Sequence, residues 1–370
     1  MMSRRQAMVL CGCGAIQLLS SNTVPKEDGA GVSKEPLRAH AARRGLSFGI
    51  GVYDEQVRRG GRPMQLVAQE ADCIVACNAL KWGQTEHILG RPDYIAAERA
   101  VRFAEQNRLR MRGHTAFWYR NLPAKISQSL NAPETPGLFL KHVGDVVGHF
   151  RGRIWEWDVV NEALEPNDKM PGLLRKAPFG KMDYGYLADI FTAAHEADPA
   201  AKLYYNDYAL EGTFPFEFEK RKAAITLLTE LRRRGAPVHG IGLQSHLATH
   251  FPFDTKIFRA FLAELAGMGL EIRLTEFDVS DRRAFGSVED RDQAVADLGH
   301  RYLDVAFAEP AVKGLLCWGL SDKDSFYNAA YCNCRHENGS MQRPLPFDDN
   351  YARKPLWYAM ARAFDGAPRR

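Results

Sequence analysis

Residues 240–276 read GIGLQSHLATHFPFDTKIFRAFLAELAGMGLEIRLTE, and this stretch decides the fold. Gly240–His246 is a short apolar run of the kind a strand buried on both faces requires, and Glu271–Glu276 is another. Between them, Lys256–Ala266 repeats its apolar residues at helical spacing. Strand, helix and strand in that order make one unit of a parallel sheet. The same alternation continues outward. Strands are expected at Ser47–Val52, Cys73–Asn78, Arg110–Thr115, Ile154–Asn161, Lys202–Asn206 and Gly314–Trp318. Helices are expected at Tyr94–Glu105, Gly137–Phe150, Tyr186–Ala197, Phe216–Arg234 and Asp290–Ala308. Eight strand–helix alternations, closed by a helix at Leu356–Phe364, predict an α/β fold: a (β/α)8 TIM barrel forming one domain over residues 46–366.

The 370 residues suffice for one such barrel, and with 45% hydrophobic and 25% charged residues the composition is that of an ordinary globular protein. The net charge of +4 is small and partly terminal (Arg4, Arg5, Arg369, Arg370). No sustained basic stripe interleaves with aromatics, so nucleic acid is not an expected partner. Residues 1–22 carry Arg4-Arg5 and then the apolar run Ala7–Leu19, the layout of an export signal of twin-arginine type. That run is too short to span a bilayer, which needs about 20 residues, and no longer one follows. The expected location is therefore periplasmic or extracellular. Leu10-Cys11-Gly12-Cys13 also allows a lipid anchor at Cys13. Residues 23–45 are polar and aperiodic and read as a linker. Beyond the signal, five cysteines remain: Cys73, Cys77, Cys317, Cys332 and Cys334. An odd number leaves at least one thiol unpaired. Cys332 and Cys334 stand too close for a relaxed bridge to each other, and one of them could instead reach a distant cysteine. Their spacing lacks the second pair that a metal site needs, so neither a metal nor another cofactor is expected.

A barrel of this kind builds its site at the C-terminal ends of its strands. There the sequence places His114, Asn161-Glu162, Asn206-Asp207, Gln244-Ser245-His246, Glu276 and Trp318. Packing does not explain polar residues recurring at the same end of most strands. A lone glutamate in such a position is usually a helix cap or a surface ion-pair partner. Two glutamates on facing strands suit the cleavage of a glycosidic bond, which needs an acid for the leaving oxygen and a base or nucleophile for the oxocarbenium-like centre. Their surroundings should hold one neutral and the other ionised.

The motifs themselves resemble glycoside hydrolase family 10, chiefly endo-β-1,4-xylanases. Trp157-Asp158-Val159-Val160-Asn161-Glu162-Ala163 is similar to that family's acid/base segment, and Leu274-Thr275-Glu276-Phe277-Asp278 to its nucleophile segment. Asn78 with Lys81-Trp82, Arg112-Gly113-His114-Thr115 with Trp118, Asn206-Asp207-Tyr208, the run Gly240–His246, and Trp318–Ser325 agree in order, so the likeness covers roughly Phe48–Phe364. It implies Glu162 as acid/base and Glu276 as nucleophile of a double displacement that retains anomeric configuration, with carboxyl groups about 5–5.5 Å apart. It implies that His246, with Asp278, orients Glu276, and that Asn161 binds the 2-hydroxyl of the sugar being cleaved. Asn78, Lys81 and His114 would line the glycone side, and Trp118 and Trp318 would offer faces for ring stacking. Asn206 and Gln244 would complete the site, while Asp158 and Asp207 would be mainly structural.

The departures cluster on the glycone side. Cys77 stands where the family has a glutamate, and Tyr119 and Asn121 replace a histidine and a glutamine. Ala124 and Phe326 replace tryptophans. Groups built to hydrogen-bond one sugar discriminate against another, so these changes bear on substrate rather than on bond cleavage. A retaining endo-β-1,4-xylanase, monomeric and acting on xylan, is the leading expectation. The alternatives are a retaining β-glycosidase for another β-linked polysaccharide, such as a bacterial exopolysaccharide, a carbohydrate-binding protein without catalysis, and a metal-dependent barrel hydrolase.

Overall fold

The computed structural model describes residues 31–128, 132–176 and 183–370. Its strands are β1 (Ser47–Val52), β2 (Cys73–Ala76), β3 (Arg110–Phe117), β4 (Glu156–Asn161), β5 (Lys202–Asp207), β6 (Gly240–Leu243), β7 (His246–Ala248), β8 (Glu271–Ser280) and β9 (Val312–Cys317). Parallel pairing runs from β1 to β6 in order, then β6 to β8, β8 to β9 and β9 back to β1, which closes an eight-stranded barrel. All eight expected strands are there, and helices flank the barrel as the alternation requires.

One expected strand is divided. Gly240–His246 breaks after Leu243 and resumes as the short β7 beside the outer half of β8, with His246 opposite Asp278. Ser245 at the break has φ +63°. It is pinned by Glu211, whose Oε1 accepts the Ser245 N–H at 2.7 Å, and by the Tyr302 hydroxyl 2.7 Å from its Oγ. The break carries His246 outward onto Asp278.

The barrel axis is ionic. Arg112, fully buried, bonds Glu156 through Nη1 and Asp158 through Nη2. Arg273 pairs with the other oxygen of Glu156 at 3.2 Å and donates to Ser47 Oγ at 2.6 Å. Apolar residues such as Phe48, Ile241, Leu274 and Leu315 form the continuous core.

Two expectations change, and one crossover holds helices outside those expected. The linker expected over 23–45 contains the helix Leu37–Ala42, with Leu37 and Ala41 fully buried against the terminal helix Pro355–Gly366. The Leu37 N–H donates to buried Glu70 at 2.8 Å. Six helical residues are too few to show a period. The first crossover contains two further helices, Asp54–Arg59 and Gly61–Glu70, split by Gly60 and Gly61, both at positive φ. Finally, Cys332 and Cys334 are bridged to each other, and Cys73, Cys77 and Cys317 are buried free thiols. Asn333, at φ +51°, turns the chain back so that the two Cα atoms lie 5.1 Å apart, within disulfide reach. The segment 1–22 with Cys13 lies outside the described residues. Among those described, no helix is long and apolar enough to cross a membrane.

Candidate active site

At the C-terminal rim, Glu276 on β8 and Glu162 just beyond β4 are joined by one chain of side-chain amides. Asn206 Nδ2 donates to Glu276 Oε1 at 2.9 Å and to Asn161 Oδ1 at 2.8 Å. Gln244 Nε2 donates to Glu162 Oε1 at 3.1 Å and to Asn161 Oδ1 at 3.4 Å. Asn161 Nδ2 also lies 3.3 Å from Glu162 Oε1. Thr275 fixes Asn206 by donating to its Oδ1 at 2.6 Å. Gly242 makes room for this amide: a Cβ there would fall 2.2 Å from Asn206 Oδ1.

The two carboxylates differ in surroundings. Glu276 is buried, which by itself favours the neutral acid. His114, His246 and Lys81 outweigh that and hold its carboxyl at about 2, below the ordinary 4.5. His246 Nε2 stands 3.4 Å from Glu276 Oε2, and Nδ1 lies 3.0 Å from Asp278 Oδ1. Burial disfavours a charged imidazole, but Asp278 and Glu276 together raise His246 well above 6.5. Burial lifts Asp278 above 3.8 although His246 and the Tyr327 hydroxyl, 3.2 Å away, favour its anion. His114 Nδ1 sits 3.0 Å from Asp158 and 4.0 Å from Glu276 Oε1. Lys81 donates to Asn78 Oδ1 at 2.9 Å and lies 4.7 Å from the Trp118 ring centre. Burial lowers its pKa below 10.5, against the pull of Glu276. The centre is thus a buried carboxylate bonded by Asn206, with His246, His114 and Lys81 around it. It faces a second glutamate whose side chain, among the described residues, is bonded by the amides of Asn161 and Gln244.

Comparison with known proteins fits this geometry. The model of glycosyl hydrolase family 10 matches residues 36–363. The chain belongs to glycosyl hydrolase family 10. It is a glycoside hydrolase. A β-1,4-xylanase of Dictyoglomus thermophilum is 33% identical over 305 residues, 79% of this chain and 82% of that one. Endo-1,4-β-xylanase B of Thermotoga neapolitana is 29% identical over 359 residues, 96% of this chain and 95% of that one. Among solved structures, native xylanase 10B from Thermotoga maritima superposes with a TM-score of 0.80 at 30% identity, covering 89% of this chain and 98% of that one.

Against the family pattern, the departures occupy distinct places. The Cys77 thiol is 1% exposed and sits in a small cluster with Val75, Leu316 and Trp318, against which Tyr53 packs. Phe326 packs edge-on against His246, ring centres 5.4 Å apart. Tyr119 lies under the Arg175 guanidinium at 4.0 Å. The Asn121 carbonyl accepts the Gly83 N–H at 2.6 Å, and Ala124 opens a short exposed helix. Of the two tryptophans expected to stack on sugar, Trp318 is 7% exposed and edge-on to His114, whereas Trp118 is more open. Asp207 is buried against Lys220 at 2.7 Å and the Tyr205 hydroxyl. Asp158 is buried between Arg112 and His114.

Sequence reading passed over Tyr53, Tyr327, Glu211 and Arg175. Tyr53 directly follows β1, so the strand-end rule that found the other residues also points to it. The remaining three lie in crossovers and carry no local signal.

Proposed function

We propose that the protein is a retaining endo-β-1,4-xylanase in which Glu162 is the acid/base and Glu276 the nucleophile. The observation that carries this reading is the asymmetry of the pair: Glu276 is held ionised by His114, His246 and Lys81, while the hydrogen bonds to the Glu162 carboxylate among the described residues come from the amides of Asn161 and Gln244. Glu276 attacks the anomeric carbon as Glu162 protonates the departing glycosidic oxygen. Glu162 then takes a proton from the water that displaces the glycosyl ester, giving retained configuration. Asn161 lies between the two carboxylates, where an amide can bind the 2-hydroxyl of the reacting sugar. The xylanases of Dictyoglomus and Thermotoga support xylan as the substrate.

The buried Cys77 thiol, in place of a carboxylate, favours a second reading of the same chemistry on another β-linked polysaccharide. Release of reducing ends from xylan, set beside a panel of other β-glycans, decides between them. Xylan turning over fastest is the expected result. A higher kcat/KM on another glycan would move the assignment there.

The charge arrangement sets a pH dependence. A folded-state pKa of about 2 at Glu276, below 4.5, contributes stability that is present above pH 4.5 and lost as pH falls through 2. His246, raised above 6.5, contributes stability that is complete below 6.5 and lost as pH rises through its elevated value. Replacing the cation beside Glu276 by a neutral amide, as in His246→Asn, should therefore move the acidic limb of kcat/KM up towards 4.5. Between about pH 2 and pH 4.5 the variant should lose activity that the ionised Glu276 preserves in the wild type. An unmoved limb would remove His246 from this role.

A further inference from the structure

Arg175 lies between β4 and the helix Tyr184–Ala197. It is 6% exposed and donates to three consecutive backbone carbonyls. Its Nε bonds Glu162 O at 2.9 Å, its backbone N–H bonds Ala163 O at 2.7 Å, and its Nη2 reaches Leu164 O at 3.4 Å. The guanidinium is held from both sides. Tyr208 OH lies 3.1 Å from Nη2, Glu165 Oε2 lies 3.3 Å from Nη1, and the Tyr119 ring stacks at 4.0 Å. These contacts join the loops that follow β3, β4 and β5.

What they hold is a residue in an unfavourable backbone state. Glu162 has φ +57°, in the left-handed region that a side-chain-bearing residue keeps only where its surroundings impose it. Both of its backbone groups are fixed: the N–H donates to Asn206 O at 2.8 Å, and the carbonyl accepts from Arg175. This turn directs the Glu162 carboxylate onto Asn161 and Gln244. Without the Arg175 bonds the turn is free to relax, and the carboxylate leaves the amides.

The geometry points to Arg175 as the positioning residue for the acid/base: it imposes the backbone turn that aims Glu162 at the glycosidic oxygen. It touches no reacting atom and acts through Glu162. The inference rests on the proposed role of Glu162, and its test separates the two. Protonation of the leaving oxygen matters for a sugar leaving group and hardly at all for dinitrophenolate, which departs as the anion. The first, bond-breaking step is read by kcat/KM.

In Arg175→Ala and Arg175→Lys, kcat/KM on xylo-oligosaccharides should fall by at least about tenfold, part of the 10²–10⁴ that a general acid supplies. On dinitrophenyl β-xylobioside it should stay within about threefold of wild type. The lysine keeps the charge but cannot span the carbonyls, so it should not rescue. Circular dichroism and the thermal midpoint identify any variant that fails to fold; the lysine variant provides the test should the alanine variant do so. Glu162→Ala is the reference. If it shows the leaving-group split and folded Arg175 variants lose both activities equally, or neither, the positioning role is overturned while the acid/base assignment stands. If Glu162→Ala shows no split, the assignment itself fails.

Discussion

Glu276→Ala should lower kcat on xylan or on an aryl β-xyloside by roughly 100,000-fold, the scale seen when a covalent nucleophile is deleted, and azide or formate should restore part of the rate. The substitution removes the carboxylate towards which His246, Asn206 and Lys81 are oriented. It leaves a space on the face of the sugar opposite the leaving group. A small anion bound there attacks the anomeric carbon in place of the carboxylate, so azide should give a glycosyl azide of inverted configuration. The measurement is turnover with and without azide on a dinitrophenyl substrate, which departs without acid assistance. Wild-type rates in the variant would end the assignment.

The second large effect is on stability. Arg112→Met removes the central cation of the barrel axis and leaves Glu156 and Asp158 buried without it, Glu156 keeping Arg273 and Asp158 keeping His114. Deleting one member of a buried ion pair costs about 3–5 kcal/mol, because the remaining charge stays desolvated. A drop of that size in unfolding free energy, read from the denaturant midpoint, is expected. Activity should fall as well, since Asp158 also holds His114 beside Glu276. A variant as stable as wild type would show that the axis charges are dispensable.

The barrel was legible because its evidence is local and repeated: eight short apolar runs, each followed by a helical period, with polar residues at the same end of most runs. Closure then brings those ends together, so Glu162, Glu276, Asn161, Asn206, Gln244, His114 and His246 meet although they are spread over more than 160 residues. Features set by distant partners, or by the backbone state of one residue, were not legible. The break at Ser245 depends on Glu211 and Tyr302, 34 and 57 residues away. The bridge between Cys332 and Cys334 depends on one left-handed residue, Asn333. Arg175 was invisible because a single arginine between Leu174 and Lys176 has no motif; its meaning comes from the three carbonyls it meets after folding. The helix Leu37–Ala42 was hidden by its brevity, its place fixed by Glu70 and the far C-terminus.

The central claim, a covalent intermediate on Glu276, is tested most directly by trapping it. A 2-deoxy-2-fluoro β-xylobioside with a dinitrophenyl leaving group should inactivate the protein with time, because the fluorine slows both steps while the dinitrophenolate leaving group speeds only the first. Mass spectrometry of a proteolytic digest should then place one fluoroxylobiosyl group on Glu276. A label on Glu162 instead, or hydrolysis with inverted configuration and no label at all, would contradict the account.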